Sequence, residues 1–199
     1  DAHAAATGML IYKVLRDLKI PIDKNIAANL YTAILIDTGG FRYSNVSPES
    51  LQIASHLVEA GASPWDIAKE VFESIPYRSM KLLGMSLSTI ESKDNIGWMT
   101  TTADMFLKTG ATAEDAEDFV DFPRKINGIE AAVYFREDSK DVFKLSLRSK
   151  GKIDVQKIAK SFGGGGHVAA AGCKVKGPLK VVHKRVLKAV RDAIKNSSK

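Results

Sequence analysis

The chain has one cysteine, Cys173, in 199 residues. An internal disulfide framework is excluded, and a reducing compartment is favoured over a secretory one. No uninterrupted apolar run approaches the roughly 20 residues needed to cross a bilayer, and no signal-peptide pattern opens the chain. A soluble, cytoplasmic protein with no membrane partner is therefore expected. Histidine is scarce as well: among the four, His3, His56, His167 and His183, no pair has metal-ligand spacing on one helix face. Aromatic residues thin out after Phe143, leaving only Phe162 as a platform for a long single strand of nucleic acid. An initiating methionine is missing too, and because Asp1 already stands at the edge of a helical pattern the chain reads as a fragment.

What is present can build a core, since 45% of the residues are hydrophobic, enough for one large or two small domains. Charge is unevenly divided: residues 1–121 carry a net −7 and residues 122–199 a net +13. A basic surface attracts phosphates and an acidic cluster can hold divalent cations, although both also serve as ordinary solubilising charge.

Apolar spacing predicts helices over 4–18 and 26–36, the second capped by Asp23. Ser47 with Pro48 opens a third that stops at Gly61, and Ser63 with Pro64 opens a fourth. Leu51, Trp65, Phe72 and Trp98 are expected in the core. A connecting helix is read over 79–92, after which the composition turns β-rich. Strands are expected at "NIGWMTTT", "GIEAAVYFRED" and "DVFKLSLRS", with a helix from Thr112 between the first two. "IDVQKIAKSF" reads as a helix capped by Asp154, "AAGCKVKG" as a strand and turn, and 178–194 as a terminal amphipathic helix, giving the order βαββαβα of an α/β domain. "NSSK" reads as a frayed tail.

Three stretches carry chemistry. In "KLSLRSKG" the period of two places Lys144, Ser146 and Arg148 on one face, a hydroxyl and a guanidinium beside a second basic group, which suits phosphate but also a solvated strand face. In "SFGGGGHVAAAGC" the residues Gly163, Gly164, Gly165 and Gly166 can take positive φ, approach a ligand closely and present N–H groups to an anion. His167 follows as a donor or proton carrier, unless the run is only a tight turn. In "ILIDTGGFRYSN" Asp37 stands where an apolar run meets a glycine turn, as a metal ligand or a turn aspartate, and Arg42 adds a further phosphate donor.

"SLRSKGKIDVQKIAKSFGGGGHVAAAGC", "AAATGMLIYKVL" and "LYTAILIDTGGFRYSN" together resemble the DHH phosphoesterase superfamily, most closely its nanoRNase and pAp phosphatase branch. The resemblance implies an α/β protein: a mostly helical remainder of a DHH domain over 1–74, a connecting helix over 75–92 and a smaller DHH-associated substrate-binding domain with a mixed sheet over 93–195. It implies a hydrolase acting as an exonuclease on short RNA oligonucleotides and as a phosphatase on 3′-phosphoadenosine 5′-phosphate (pAp), with two divalent cations, usually manganese. A homodimer is a possible state. Asp37 would then be a metal ligand and catalytic residue, Ser146, Arg148 and Arg42 would bind substrate phosphate, and the loop from Gly163 to His167 would close on the nucleotide, with His167 also catalytic. The superfamily's aspartate-rich first motif and its Asp-His-His motif are absent from this sequence, which therefore supplies one of several metal ligands. A cyclic- or linear-dinucleotide phosphodiesterase of the same superfamily, and a non-enzymatic nucleotide or nucleic-acid binding module, remain the alternatives.

Overall fold

A computed structural model describes residues 4–197. His3 and the last two residues of "NSSK" lie outside the described residues. The chain divides into two compact units, 1–74 and 75–199.

The first unit is helical: α1 (Thr7–Asp17), α2 (Lys24–Asp37), α3 (Pro48–Glu59) and α4 (Pro64–Phe72). Its helix starts follow from short polar caps. The Asp23 carboxylate accepts from the Ile26 N–H at 2.8 Å, and Ser47 and Ser50 cap each other's backbone ahead of α3. The core gathers Met9, Tyr12, Ala27, Leu30, Ile34 and Leu57. Gly8 lets α1 approach α2, since a Cβ there would stand 3.1 Å from the Ala33 Cβ. His56 is structural, its Nδ1 2.9 Å from the Tyr12 hydroxyl, which ties α3 to α1. Of the four residues expected in the core, Trp98 is buried, but Leu51, Trp65 and Phe72 are 50%, 66% and 44% exposed. The last two lie on α4, a helix with no buried residue, so their spacing marks an apolar stripe that the unit's own core does not cover.

The second unit contains α5 (Tyr77–Leu87), β1 (Glu91–Lys93), β2 (Ile96–Thr101), α6 (Ala103–Thr109), a 3-10 helix (Glu114–Val120), α7 (Asp121–Arg124), β3 (Ala131–Ser139), β4 (Val142–Ser149), α8 (Val155–Ser161), β5 (Gly165–His167), β6 (Ala170–Lys176) and α9 (Leu179–Ser197). The strands form one mixed sheet in the order β1-β2-β3-β4-β6-β5, with β2 parallel to β3 and every other pair antiparallel. The helix expected over 79–92 ends at Leu87, because the Thr89 hydroxyl bonds both the carbonyl and the N–H of Thr100, each at 2.9 Å, and draws the chain onto β2. β1 then returns through Asp94 and Asn95, both at positive φ (53° and 62°), a two-residue hairpin of the kind favoured by strand twist. The helix expected from Thr112 is instead 3-10 followed by one turn of α7. Pro123 lies within it and has no N–H to continue an α-helical ladder. β1, α6 and β5 have no counterpart in the sequence pattern.

The sheet is covered unequally. On one face Phe143, Leu145 and Leu147 of β4 and Ala171, Cys173 and Val175 of β6 pack under α8 and α9. On the other, α5, α6 and the 3-10 helix cover β2 and β3 through Leu82, Met99, Ala116, Phe119, Ala132 and Tyr134. Gly97 allows that cover to sit close, since a Cβ would meet the Pro123 carbonyl at 2.8 Å. This second cluster takes no residue from β4, β6 or β5.

A half-buried group is expected to make stability pH-dependent. His183 of α9 lies between Phe135, with ring centroids 4.1 Å apart, and the Thr100 hydroxyl, 3.0 Å from Nε2. Burial lowers its pKa below the ordinary 6.5, against a smaller opposing pull from Glu91. Below that value the unfolded chain takes up a proton more readily than the folded one, so the contribution is complete above pH 6.5 and is lost as pH falls. The melting temperature is expected to drop between pH 7 and pH 5.5, and His183→Gln is expected to flatten that slope; an unchanged slope in the variant would assign it elsewhere.

Candidate phosphate-binding site

β4 alternates as its sequence requires. Phe143, Leu145, Leu147 and Ser149 are buried, whereas Lys144, Ser146 and Arg148 are partly exposed on the opposite face. Strand register continues this face across the sheet, because directly paired residues share a side. Ser146 lies opposite Gly172, which lies opposite Gly165; Arg148 lies opposite Ala170, which lies opposite His167. The donors of β4 therefore look over a floor of two glycines and an alanine. A cavity of about 520 Å³ stands on this floor, lined by Lys144, Ser146, Arg148, Gly165, Gly172 and Lys174 among others.

The four glycines divide the work. Gly163 (φ 76°) and Gly164 close α8, their N–H groups donating to the carbonyls of Lys160 and Ala159 at 3.0 and 2.8 Å, which is the Schellman arrangement of a helix end. Those two N–H groups are committed to the helix, so the expectation that the whole run presents N–H donors to an anion is corrected; Gly163 and Gly164 do not line the cavity. A Cβ on Gly164 would stand 2.1 Å from the Gly172 carbonyl, and one on Gly166 (φ 140°) 2.5 Å from the Ala170 carbonyl, so both are required for β6 to lie close. Gly165 differs. It has no positive φ and an added Cβ would meet nothing within 4 Å, so the space it leaves is the cavity. The Gln156 side-chain amide donates to the Gly166 carbonyl and holds the loop to α8. His167 ends β5 with its ring exposed, in the same cross-strand row as Arg148 and two strands away, about 10 Å by ordinary strand spacing.

The cations around this face fall into two sets. Arg136 and Lys174 are both engaged by Asp138, at 3.0 Å each, and Arg136 also donates to the Ala113 carbonyl at 2.9 Å. Burial pushes the Asp138 carboxyl up, but the hydrogen bonds from Lys174 and Arg136 outweigh it and hold its pKa below the usual carboxylate value. By contrast, Arg148 makes one bond, to the Leu147 carbonyl at 3.2 Å, and neither it nor Lys144 has an acidic partner among the described residues. Burial pushes the Cys173 thiol up to about 11, so it stays neutral, its side chain packed on the opposite face of the sheet under α8 and α9.

Residues 99–196, from β2 to α9, match the DHHA1 domain family. The chain is 35% identical over 195 residues to the bifunctional oligoribonuclease and PAP phosphatase NrnA of Thermus thermophilus, covering 98% of this chain and 59% of that protein. It is 27% identical over 179 residues to the protein of the same name from Bacillus subtilis, covering 88% of this chain and 56% of the relative. The chain belongs to the DHH phosphoesterase superfamily. Among solved structures, an exopolyphosphatase-related protein from Bacteroides fragilis superposes with a TM-score of 0.94 at 26% identity, over 100% of this chain and 60% of that one. The chain thus spans a little under three fifths of the two curated relatives described.

The residues that the DHH resemblance implicates fall in both units. Ser146, Arg148 and Gly163 to His167 belong to the second. Asp37 and Arg42 belong to the first, in a turn where Gly39, Gly40 and Phe41 all have positive φ. Asp37 ends α2 with an exposed side chain, and the Arg42 Nε donates to the Gly39 carbonyl at 2.6 Å, which fixes the turn. Glycine suits position 39 because its φ is 58°, and a Cβ there would also have to displace the exposed Tyr43 ring. No group of three His, Cys, Asp or Glu side chains that could hold a metal ion occurs among the described residues. Sequence reasoning missed Gly172 and Ala170 as the floor, although their period of two in "AAGC" carries the signal. It also missed Glu117 and Asp118, which join Lys144, Ser146 and Arg148 around a neighbouring cavity.

Proposed function

We propose that the parent activity is hydrolysis of short oligoribonucleotides and of pAp, and that the second unit of this chain grips a phosphate of the substrate. One observation carries the reading: a hydroxyl, a guanidinium and an ammonium without acidic partners share one strand face beside a floor of two glycines and an alanine. Arg148 offers two parallel N–H donors to phosphate oxygens, Ser146 a short O–H donor, and Lys144 a point charge. His167, at the rim of this face, is placed to donate to the nucleotide. The names of the relatives from Thermus thermophilus and Bacillus subtilis support the substrate class.

Divalent cations, manganese as the specific choice, belong to this proposal. When bound they would activate water and neutralise the scissile phosphate. Asp37 is the residue of this chain proposed to ligate one of them. A lone carboxylate does not fit a two-metal centre, and the described residues provide no cluster to complete it. No chemical step is therefore assigned to this chain; its residues bind and orient.

The test is calorimetric titration of the chain with pAp and with a 5′-phosphorylated dinucleotide, followed by a turnover assay with manganese. Binding without turnover is expected. Failure of both ligands to bind would overturn the reading, and robust turnover would overturn the assignment of a binding role alone.

A further inference from the structure

The face of β4 that carries Lys144, Ser146 and Arg148 also opens to a second cavity of about 240 Å³, lined in addition by Ala116, Glu117, Asp118, Tyr134 and Arg136. Its wall on the 3-10 helix differs in kind from the glycine floor. Glu117 and Asp118 are exposed, and among the described residues neither carboxylate makes an ion pair or a side-chain hydrogen bond. Their charge is thus not cancelled by Lys144 or Arg148, although all four line the same cavity. The Tyr134 hydroxyl is already committed to the Thr101 hydroxyl at 2.8 Å, and burial pushes its pKa up to about 12, so it adds no charge of its own.

Two unpaired cations and two unpaired carboxylates around one small space select by charge. An anion is attracted to the β4 side and repelled on the 3-10 side, where a neutral group with O–H or N–H donors, such as a sugar hydroxyl or an exocyclic amine, can be accepted instead. We propose that Glu117 and Asp118 are specificity-determining residues that admit one phosphate at Arg148 and reject the next phosphate of a longer strand on the 3-10 helix side. The inference rests on the phosphate-binding reading above and deepens it, since it makes this cavity the place where substrate length is read. A cavity of about 240 Å³ is narrower than the roughly 8 Å Debye length at physiological ionic strength, so salt leaves much of the repulsion in place.

The experiment compares the affinities of a 5′-phosphorylated dinucleotide and a 5′-phosphorylated pentanucleotide for the chain and for its Glu117→Gln/Asp118→Asn variant, in chelator to prevent turnover. The expected result is a shift of the affinity ratio toward the pentanucleotide by about tenfold in the variant, the scale of removing two solvent-exposed charges. Glu117→Lys is expected to move the ratio further in the same direction, and because both positions are exposed neither change disturbs the core. A ratio unchanged in both variants, with the dinucleotide still binding, would overturn the length gate alone. Loss of dinucleotide binding in the unaltered chain would overturn the phosphate-binding reading on which it stands.

Discussion

Replacing Arg148 with alanine is expected to weaken binding of pAp by about 10- to 100-fold, while leaving the melting temperature nearly unchanged. The size follows from the loss of charge-assisted hydrogen bonds, about 1.5–3 kcal/mol in typical mutational series, where 1.4 kcal/mol is a factor of ten. The insensitivity of the fold follows from the partners. In the free chain Arg148 holds only the Leu147 carbonyl and no carboxylate, so its removal leaves no buried charge behind. Arg136 provides the contrast. It is 8% exposed and joined to Asp138 and to the Ala113 carbonyl, so its truncation is a change to the fold rather than to the site. Arg148→Lys is expected to recover only part of the loss, because an ammonium keeps the charge but not the planar fork. Calorimetry with thermal melts on the same samples separates the two effects; equal pAp affinity in the alanine variant would remove Arg148 from the site.

The second large effect concerns a residue with no side chain. Gly165→Leu is expected to leave the fold intact and to reduce pAp binding by at least about 100-fold by filling the cavity that the ligand needs. Position 165 is paired with Gly172 and, through it, with Ser146, so a side chain there projects onto the donor face. It meets nothing within 4 Å, and the backbone needs no positive φ. The neighbouring position is the control. Gly166 has φ 140° and would place a Cβ 2.5 Å from a backbone carbonyl, so Gly166→Leu is expected to destabilise the sheet edge whether or not ligand is present. Circular dichroism and melting curves alongside the binding isotherm decide between the two. Normal binding by a folded Gly165→Leu chain would show that the cavity is not the ligand's seat.

The contrast between those two glycines also marks where sequence reasoning reached its limit. The period of two in "KLSLRS" already placed Lys144, Ser146 and Arg148 on one face, because alternation is a local property of a strand. Caps such as Asp23, Ser47 and Asp154 were equally local. The roles of the four glycines were not. Gly163 is fixed by where α8 stops, Gly164 and Gly166 by how near β6 lies, and Gly165 by the space left open, so three of the four depend on a strand pairing distant from any pattern within the run. β5 has three residues, too few for periodicity to show. The open half of the sheet was hidden for the same reason, since it exists only because the crossover from β2 to β3 lays its helices over those two strands. Trp65 shows the opposite error. Its residue type suggested core, yet it lies 66% exposed on a helix that meets the core only through partly buried residues such as Ile67.

The claim on which the rest depends is that the uncovered face of β4, β6 and β5 binds a phosphate. A backbone-amide NMR titration of the chain with pAp, in the absence of divalent metal, tests it most directly. Saturable shifts confined to residues 144–148 and 164–174, with α9 silent, are predicted. Shifts spread over the basic terminal helix, or no shift on β4 at saturating ligand, would contradict it.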